Sequence, residues 1–434
     1  MVLQSSEPRL ERVSGPPSEL LATWESQGWP SGPGLRLVEF QLESPWQGEN
    51  EVTILTGVYL VSTAGIEGFL VTDRPISDIP LEDGGPHVAF SRLQSTLSAV
   101  ACMPGQPLKL EPLSVPKPWG QEIWYTGIEE RGVCRFVDGA SSTPIPWLQA
   151  AAPRGWLGEG APPVLLKILD PSPEPVIGDL YFELHDEKRE VYVVTHVDRG
   201  AWPDGIGAIR YGFDRERVAA ASDEDEFRRE YLEAVRRYEA VRRDIDNAEH
   251  TPSPDLLEQE KMLRAEMDAY TALRPLGVGD VVRVPLLLPH SLQHGVRTVE
   301  FQTPVYERQI LAFAQKVLTQ DHWDTEEAVS RMTLLAPEDE PLETVLDQPG
   351  VTVERIVDFD DFEVFRARLS GKVSWTPDLG GSYALMMVIE GRGRVSGRVL
   401  SAEEAVLLPG GFASGIAPEG ATKECVFLLA LPRR

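Results

Sequence analysis

Glu183, His185 and Glu190 crowd into the stretch GDLYFELHDEKREVYVV, residues 178–194, which otherwise reads as two apolar β-strands joined by a tight charged turn. Side chains alternate faces along a strand, so Glu183 and His185 point the same way, and a reversal at DEKR brings Glu190 back beside them. Two carboxylates and an imidazole on an apolar inner face carry a desolvation cost that a divalent cation would offset. A fourth group is expected from elsewhere in the same barrel. A candidate is His290 in GVGDVVRVPLLLPHSLQHGV, residues 277–296. Glu183 and Glu190 taken alone also suit a solvated strand face paired with Lys188 and Arg189. Their joint spacing with His185 and His290 favours the metal.

The elements that must position these groups are mostly strands, so the expected fold class is mainly β. Residues 1–32 are rich in Pro, Gly and Ser and read as a loose tail. Residues 33–112 alternate short apolar runs with turn residues, as an extra N-terminal β-rich module does. It offers only the solitary His87, a solvated or core histidine. A second β-rich region spans 113–320 and is interrupted at 214–274 by a helical hairpin. Phe227, Tyr231, Val235, Tyr238 and Ile245 make one apolar stripe behind Ser222, and Leu256, Leu263, Met267 and Tyr270 repeat the pattern. Its paired arginines read as a solvated face laced with Glu–Arg pairs. Residues 321–356 form an acidic connector with helical character, and 357–434 close the chain as a last β unit. His196, one period-2 step off the inner face relative to Glu190, is expected behind the ligand residues or in the core, whereas His294 and His322 are expected to be structural.

The chain has 434 residues and a formal charge of −27, from 68 acids and 41 basic residues. That charge repels nucleic acid and anionic membranes, and neither is an expected partner. A few local cations can still hold an anionic small molecule, because the surface charge is screened beyond about 8 Å. No apolar run reaches the roughly 18–20 residues of a membrane helix. Cys102, Cys134 and Cys425 are odd in number and contain no CxxC pair, which fits reduced thiols and a cytoplasmic address.

The ordered segments point to a family. Glu183-x-His185-x4-Glu190 and Gly279-x5-Pro285-x4-His290 follow the two metal motifs of cupin barrels, with Val197 and Leu287 where motif glycines usually stand. From about residue 107 onward the sequence resembles the class I mannose-6-phosphate isomerases, or phosphomannose isomerases. The resemblance is carried by PLKLEPLSVPKPWGQEIW, PPVLLKILD, GDVVRVPLLLPHSL and VEFQTPVYER, in that order, and by helices placed between the cupin motifs. It implies tandem cupin (double-stranded β-helix, jelly-roll) barrels. The second would be metal-free, since Ser414 follows Pro409-x-Gly411 where a metal histidine would stand.

The resemblance also implies one divalent ion, zinc first with manganese or iron as alternatives, held by Glu183, His185, Glu190 and His290. Lys167, Tyr181 and Arg308 fall at substrate-binding positions, and Glu300, Arg308 and Lys188 at catalytic ones. The implied reaction interconverts mannose 6-phosphate and fructose 6-phosphate by proton transfer through a cis-enediol, in a monomer or homodimer. Departures from the pattern concern the substrate more than the metal. Glu183 stands for a glutamine, Tyr181 for a small serine, and the loop between His185 and Glu190 is cut to four residues. A cupin acting on another sugar or sugar phosphate, or a non-catalytic sugar-binding or regulatory bicupin, therefore stays open.

Overall fold

The computed structural model describes residues 9–12, 17–27, 34–48, 51–80, 85–158, 163–420 and 424–433. The chain is mainly β, as expected, and divides into two compact units. One comprises Ser114–Ile123 and Leu166–Pro341; the other holds the remaining segments, 1–113, 124–165 and 342–434.

The site-bearing unit is built from two sheets. The first runs Thr271–Leu276, Gly207–Phe213, His290–Leu292, Phe182–Leu184 and Gln309–Ala312. The second runs Val281–Val284, Glu190–Val197, Val296–Gln302, Leu165–Pro171, Gly120–Trp124 and Leu113–Lys117. Tyr192, Val194, Val282 and Val284 from one sheet pack with Ile209, Tyr211, Leu292 and Ile310 from the other in a single apolar core. Burial of those branched and aromatic faces, at about 25 cal/mol per Å² of apolar surface, holds the layers together. The strands Phe182–Leu184 and Glu190–Val197 thus belong to different sheets. The charged turn is a crossing from one layer to the other, where a simple reversal was expected.

The helical insertion lies where its periodicity places it, as Arg215–Ala220, Glu224–Asp246 and Pro254–Asp268. Phe227, Tyr231, Val235 and Tyr238 are buried, while Ile245 is only partly so. The N-cap of the long helix is Asp223, one residue past the expected Ser222. Its carboxylate accepts the Glu226 N–H at 2.7 Å and satisfies one of the orphan donors of the first turn. Arg–Glu pairs such as Arg237–Glu266 and Arg243–Glu239 lace the outer faces.

Several expected boundaries move. Within the 1–32 tail, Pro17–Gln27 is a helix with Leu21 and Trp24 buried, and Trp24 meets the Tyr59 ring edge-on at 6.3 Å. The rest of that tail, apart from the strand Arg9–Arg12, lies outside the described residues. The 33–112 module contains the helix Pro86–Leu97 and is not self-contained. Its strand Leu108–Leu110 pairs with Ala405–Leu408 in an eleven-stranded sheet that also takes up Glu343–Gln348 and Val351–Asp358. The connector therefore ends near Pro341, after the short helix Thr325–Arg331, because the strand-forming TVLDQ and VTVERIVD runs are drawn into the last β unit. Residues 124–165, expected in the metal-binding region, belong to the other unit.

All three cysteines are free and buried. No helix among the described residues is long and apolar enough to cross a membrane.

Candidate metal centre

The two sequence segments meet in direct register. Glu183 lies opposite His290 across adjacent antiparallel strands, a separation at which facing side chains touch. The Leu287 N–H donates to the His185 carbonyl at 2.8 Å, which stitches the loop before His290 to the strand end after Glu183. That bond holds Leu287 at φ +62°, the left-handed region glycine favours, so the residue replacing the motif glycine retains the glycine conformation at a cost of about 1–2 kcal/mol. One donor atom each from Glu183, His185 and His290 lies within 4.8 Å of the others.

Both imidazoles are oriented by their far nitrogens. His185 Nδ1 bonds the Glu307 carbonyl at 3.0 Å, and His290 Nδ1 bonds the Leu288 carbonyl at 3.0 Å. A carbonyl only accepts, so each Nδ1 carries the proton and each Nε2 turns inward. His185 Nε2 stands 3.5 Å from Glu190 Oε1 and 3.9 Å from Glu183 Oε1, while His290 Nε2 stands 3.2 Å from Glu190 Oε2. Such approaches between lone pairs require a proton or a cation between them. His185 Nε2 and Glu183 Oε2 are moreover buried without a hydrogen-bond partner. Unpaired buried polar atoms are rare and cost about 1–3 kcal/mol each. Two imidazole nitrogens and carboxylate oxygens form a donor set that suits a zinc-type divalent ion, and these residues fit one.

The electrostatics favour the ligand forms of these groups. Burial, with the Lys188 ammonium beside it, holds the His185 imidazole below its ordinary range, so it stays neutral and able to coordinate. Burial alone would raise Glu190, but the Lys188 ammonium outweighs it and keeps the carboxyl well below the usual range. Lys188 Nζ sits 2.7 Å from Glu190 Oε1, and the Tyr192 hydroxyl donates to Oε2 at 2.7 Å.

Beside the centre runs a ladder of alternating charge. Lys117 lies 3.3 Å from Glu122, Glu122 3.7 Å from Lys167, and Lys167 3.3 Å from Glu300. Glu300 is 1% exposed. Burial pushes its carboxyl well above the usual range against the pull of Lys167. Burial also opposes the charge on Lys167, yet the surrounding carboxylates, led by Glu122, hold the ammonium above its ordinary value. Lys167 thus stands between two carboxylates, Glu122 and the nearer, more deeply buried Glu300.

The expected site residues divide into those brought together and those turned to other tasks. Glu183, His185, Glu190, His290, Lys167 and Glu300 converge. Arg308 reaches the rim, with Nε 3.9 Å from Glu183 Oε2 and Nη2 bonded to the Thr319 hydroxyl at 2.6 Å. Tyr181 is buried and does not extend as a free substrate contact; its ring lies 4.5 Å below the Arg308 guanidinium and serves as a platform. Lys188 is 7% exposed and committed to Glu190, so it neutralises that buried carboxylate and is not placed to grip an anionic substrate.

His196 is exposed beyond a bulge between Val194 and His196, which carries it off the inner face. His294 is structural, bonded to Asp179 at 2.7 Å and stacked on Trp202; exposed His322 sits beside Asp321 and Asp324, and His87 beside Glu67. Sequence reasoning missed Lys117, Glu122, Tyr192 and Glu307. Tyr192 had a readable signal, since it is two residues past Glu190 on the same strand face; the others are united only by the fold.

No protein-family model matches the sequence, and no curated protein does. Among solved structures the chain is similar to the mannose 6-phosphate isomerase from Bacillus subtilis, with a TM-score of 0.55 and 15% identity over 75% of this chain and 99% of that one. It is also similar to the apo form of mannose 6-phosphate isomerase from Salmonella typhimurium, with a TM-score of 0.53 and 13% identity over 76% of this chain and 99% of that one. A mannose 6-phosphate isomerase bound with zinc and yttrium has a TM-score of 0.53 and 14% identity, over 75% of this chain and 99% of that one. At these identities the similarity is one of fold, a remote structural relationship.

Proposed function

We propose that the chain is a metal-dependent aldose–ketose isomerase that interconverts mannose 6-phosphate and fructose 6-phosphate in a cytoplasmic setting. The observation that carries this reading is the pairing of the inward Nε2 atoms of His185 and His290 with Glu183 and Glu190, next to a buried Lys167–Glu300 acid–base pair. Those four residues would hold a divalent cation, which would supply Lewis-acid polarisation to the sugar.

The chain's own groups account for the rest of the chemistry. The reaction moves a proton between C1 and C2 of the open-chain sugar through a cis-enediol. Glu300, whose carboxyl is raised by burial, takes the proton from one carbon in its carboxylate form and returns it to the other. Lys167, kept charged by Glu122, donates a hydrogen bond to the oxygen that gains negative charge as the C–H bond breaks, and the hydroxyl proton passes from O2 to O1 as the enediol forms and collapses. Arg308, braced on Tyr181 and Thr319, is the cation at the rim suited to the phosphate. The structural relationship to isomerases supports the fold this reading requires.

Incubation of the zinc-loaded protein with mannose 6-phosphate in deuterated water, followed by NMR, is expected to yield fructose 6-phosphate with solvent deuterium at C1. Metal-loaded protein that leaves the sugar unchanged would reject the assignment. The carboxylate of Glu183 and the buried ring of Tyr181 alter the surroundings of the substrate, so other aldose phosphates belong in the same assay.

A further inference from the structure

We infer that Glu307 is a positioning residue for the metal centre: it locks the turn between His185 and Glu190 and fixes the orientation of the His185 ring, and so sets metal affinity. This rests on the metal site proposed above but not on the isomerase reaction.

One carboxylate oxygen, Glu307 Oε1, accepts the backbone N–H groups of Asp186, Glu187 and Lys188, each at 3.0 Å. Three successive amides converging on one oxygen form an anion-binding nest, and here the anion is built into the chain. The next amide, Arg189 N–H, donates to the Thr303 hydroxyl at 3.1 Å, so four consecutive donors of the turn are taken by the 303–307 segment. The same residue acts through its backbone. The Glu307 carbonyl holds His185 Nδ1 at 3.0 Å, and its carboxylate lies 3.9 Å from that nitrogen, stabilising the Nδ1–H form that points Nε2 at the centre.

The turn needs such a clamp. In four residues it must pass from one sheet to the other and deliver His185, Lys188 and Glu190 at fixed positions, and it has no hairpin ladder of its own. Glu307 also precedes Arg308, so the residue that clamps the ligand turn is covalently next to the cation at the rim.

The test compares zinc affinity, by chelator competition, in wild-type, Glu307→Ala and Glu307→Gln proteins, together with hydrogen exchange of the 186–188 amides in metal-free protein. Removing an outer ligand partner typically weakens metal binding 10- to 100-fold. That loss is expected for alanine, with at least tenfold faster exchange of the three amides. Glutamine, whose amide oxygen can accept the same N–H groups, is expected to recover most of both.

Unchanged affinity and exchange in a folded Glu307→Ala protein would overturn the inference alone. If alanine prevents folding, wild-type exchange decides: amides exchanging at the rate of an open turn would overturn it, and strong protection would uphold the clamp. A wild-type protein that binds no zinc would overturn both this inference and the metal site it builds on.

Discussion

Replacing His290 with alanine is expected to weaken zinc binding by about a hundredfold or more and to abolish turnover at ordinary metal concentrations. Structural zinc sites bind with apparent free energies of about 10–16 kcal/mol, so one ligand of four accounts for roughly 3 kcal/mol. The loss falls on coordination because the substitution spares the rest of the centre. Glu190 keeps Lys188 at 2.7 Å and the Tyr192 hydroxyl at 2.7 Å, and Glu183 loses only the side chain facing it across the ladder. Chelator competition measures the affinity and circular dichroism checks the fold. A His290→Ala protein with wild-type zinc affinity would remove His290 from the ligand set.

Replacing Glu300 with glutamine has a different signature. Turnover is expected to fall by about 10²- to 10⁴-fold, the range typical of losing a positioned acid–base group, while zinc affinity changes by no more than a few-fold. The amide oxygen of glutamine still accepts from Lys167, now 3.3 Å from Glu300 Oε2, and Glu122 still balances the lysine at 3.7 Å. The variant should therefore fold and load metal yet fail to move the proton. Steady-state kinetics on the metal-loaded variant read the effect. Near-normal kcat would assign the proton transfer to another group, whereas parallel losses of kcat and metal affinity would place Glu300 in the coordination set.

The two variants separate holding the ion from doing the chemistry. The structure draws the same division, with His185 and His290 fixed by backbone carbonyls on one side and the Lys117–Glu122–Lys167–Glu300 ladder on the other.

Much of this arrangement was legible in the sequence where local rules decide it. Strand alternation placed Glu183 and His185 on one face, the 3.6-residue period located the helical insertion, and the approach to His290 was readable from its Gly and Pro spacing. What stayed hidden depends on contacts remote in sequence. The charged turn reads as a simple reversal because nothing in DEKR records that its flanking strands pair with different partners, His290–Leu292 and Gln309–Ala312 on one side, Val281–Val284 and Val296–Gln302 on the other. Glu307 lies about 120 residues from the amides it caps. Lys188 shows the converse error: its position suggested a cation facing the substrate, and only the fold reveals that the side chain turns inward to the buried Glu190 carboxylate. In the other unit, flanking Pro, Gly and Ser residues concealed the helix Pro17–Gln27, although Leu21 and Trp24 already stood at helical spacing.

Zinc K-edge absorption spectroscopy on the purified, zinc-loaded protein, with metal stoichiometry measured in parallel, tests the proposed shared cation most directly. One zinc per chain is predicted, bound by two imidazole nitrogens at about 2.0–2.1 Å with the remaining ligands oxygen. Substoichiometric zinc, or a spectrum without imidazole scattering, would contradict it.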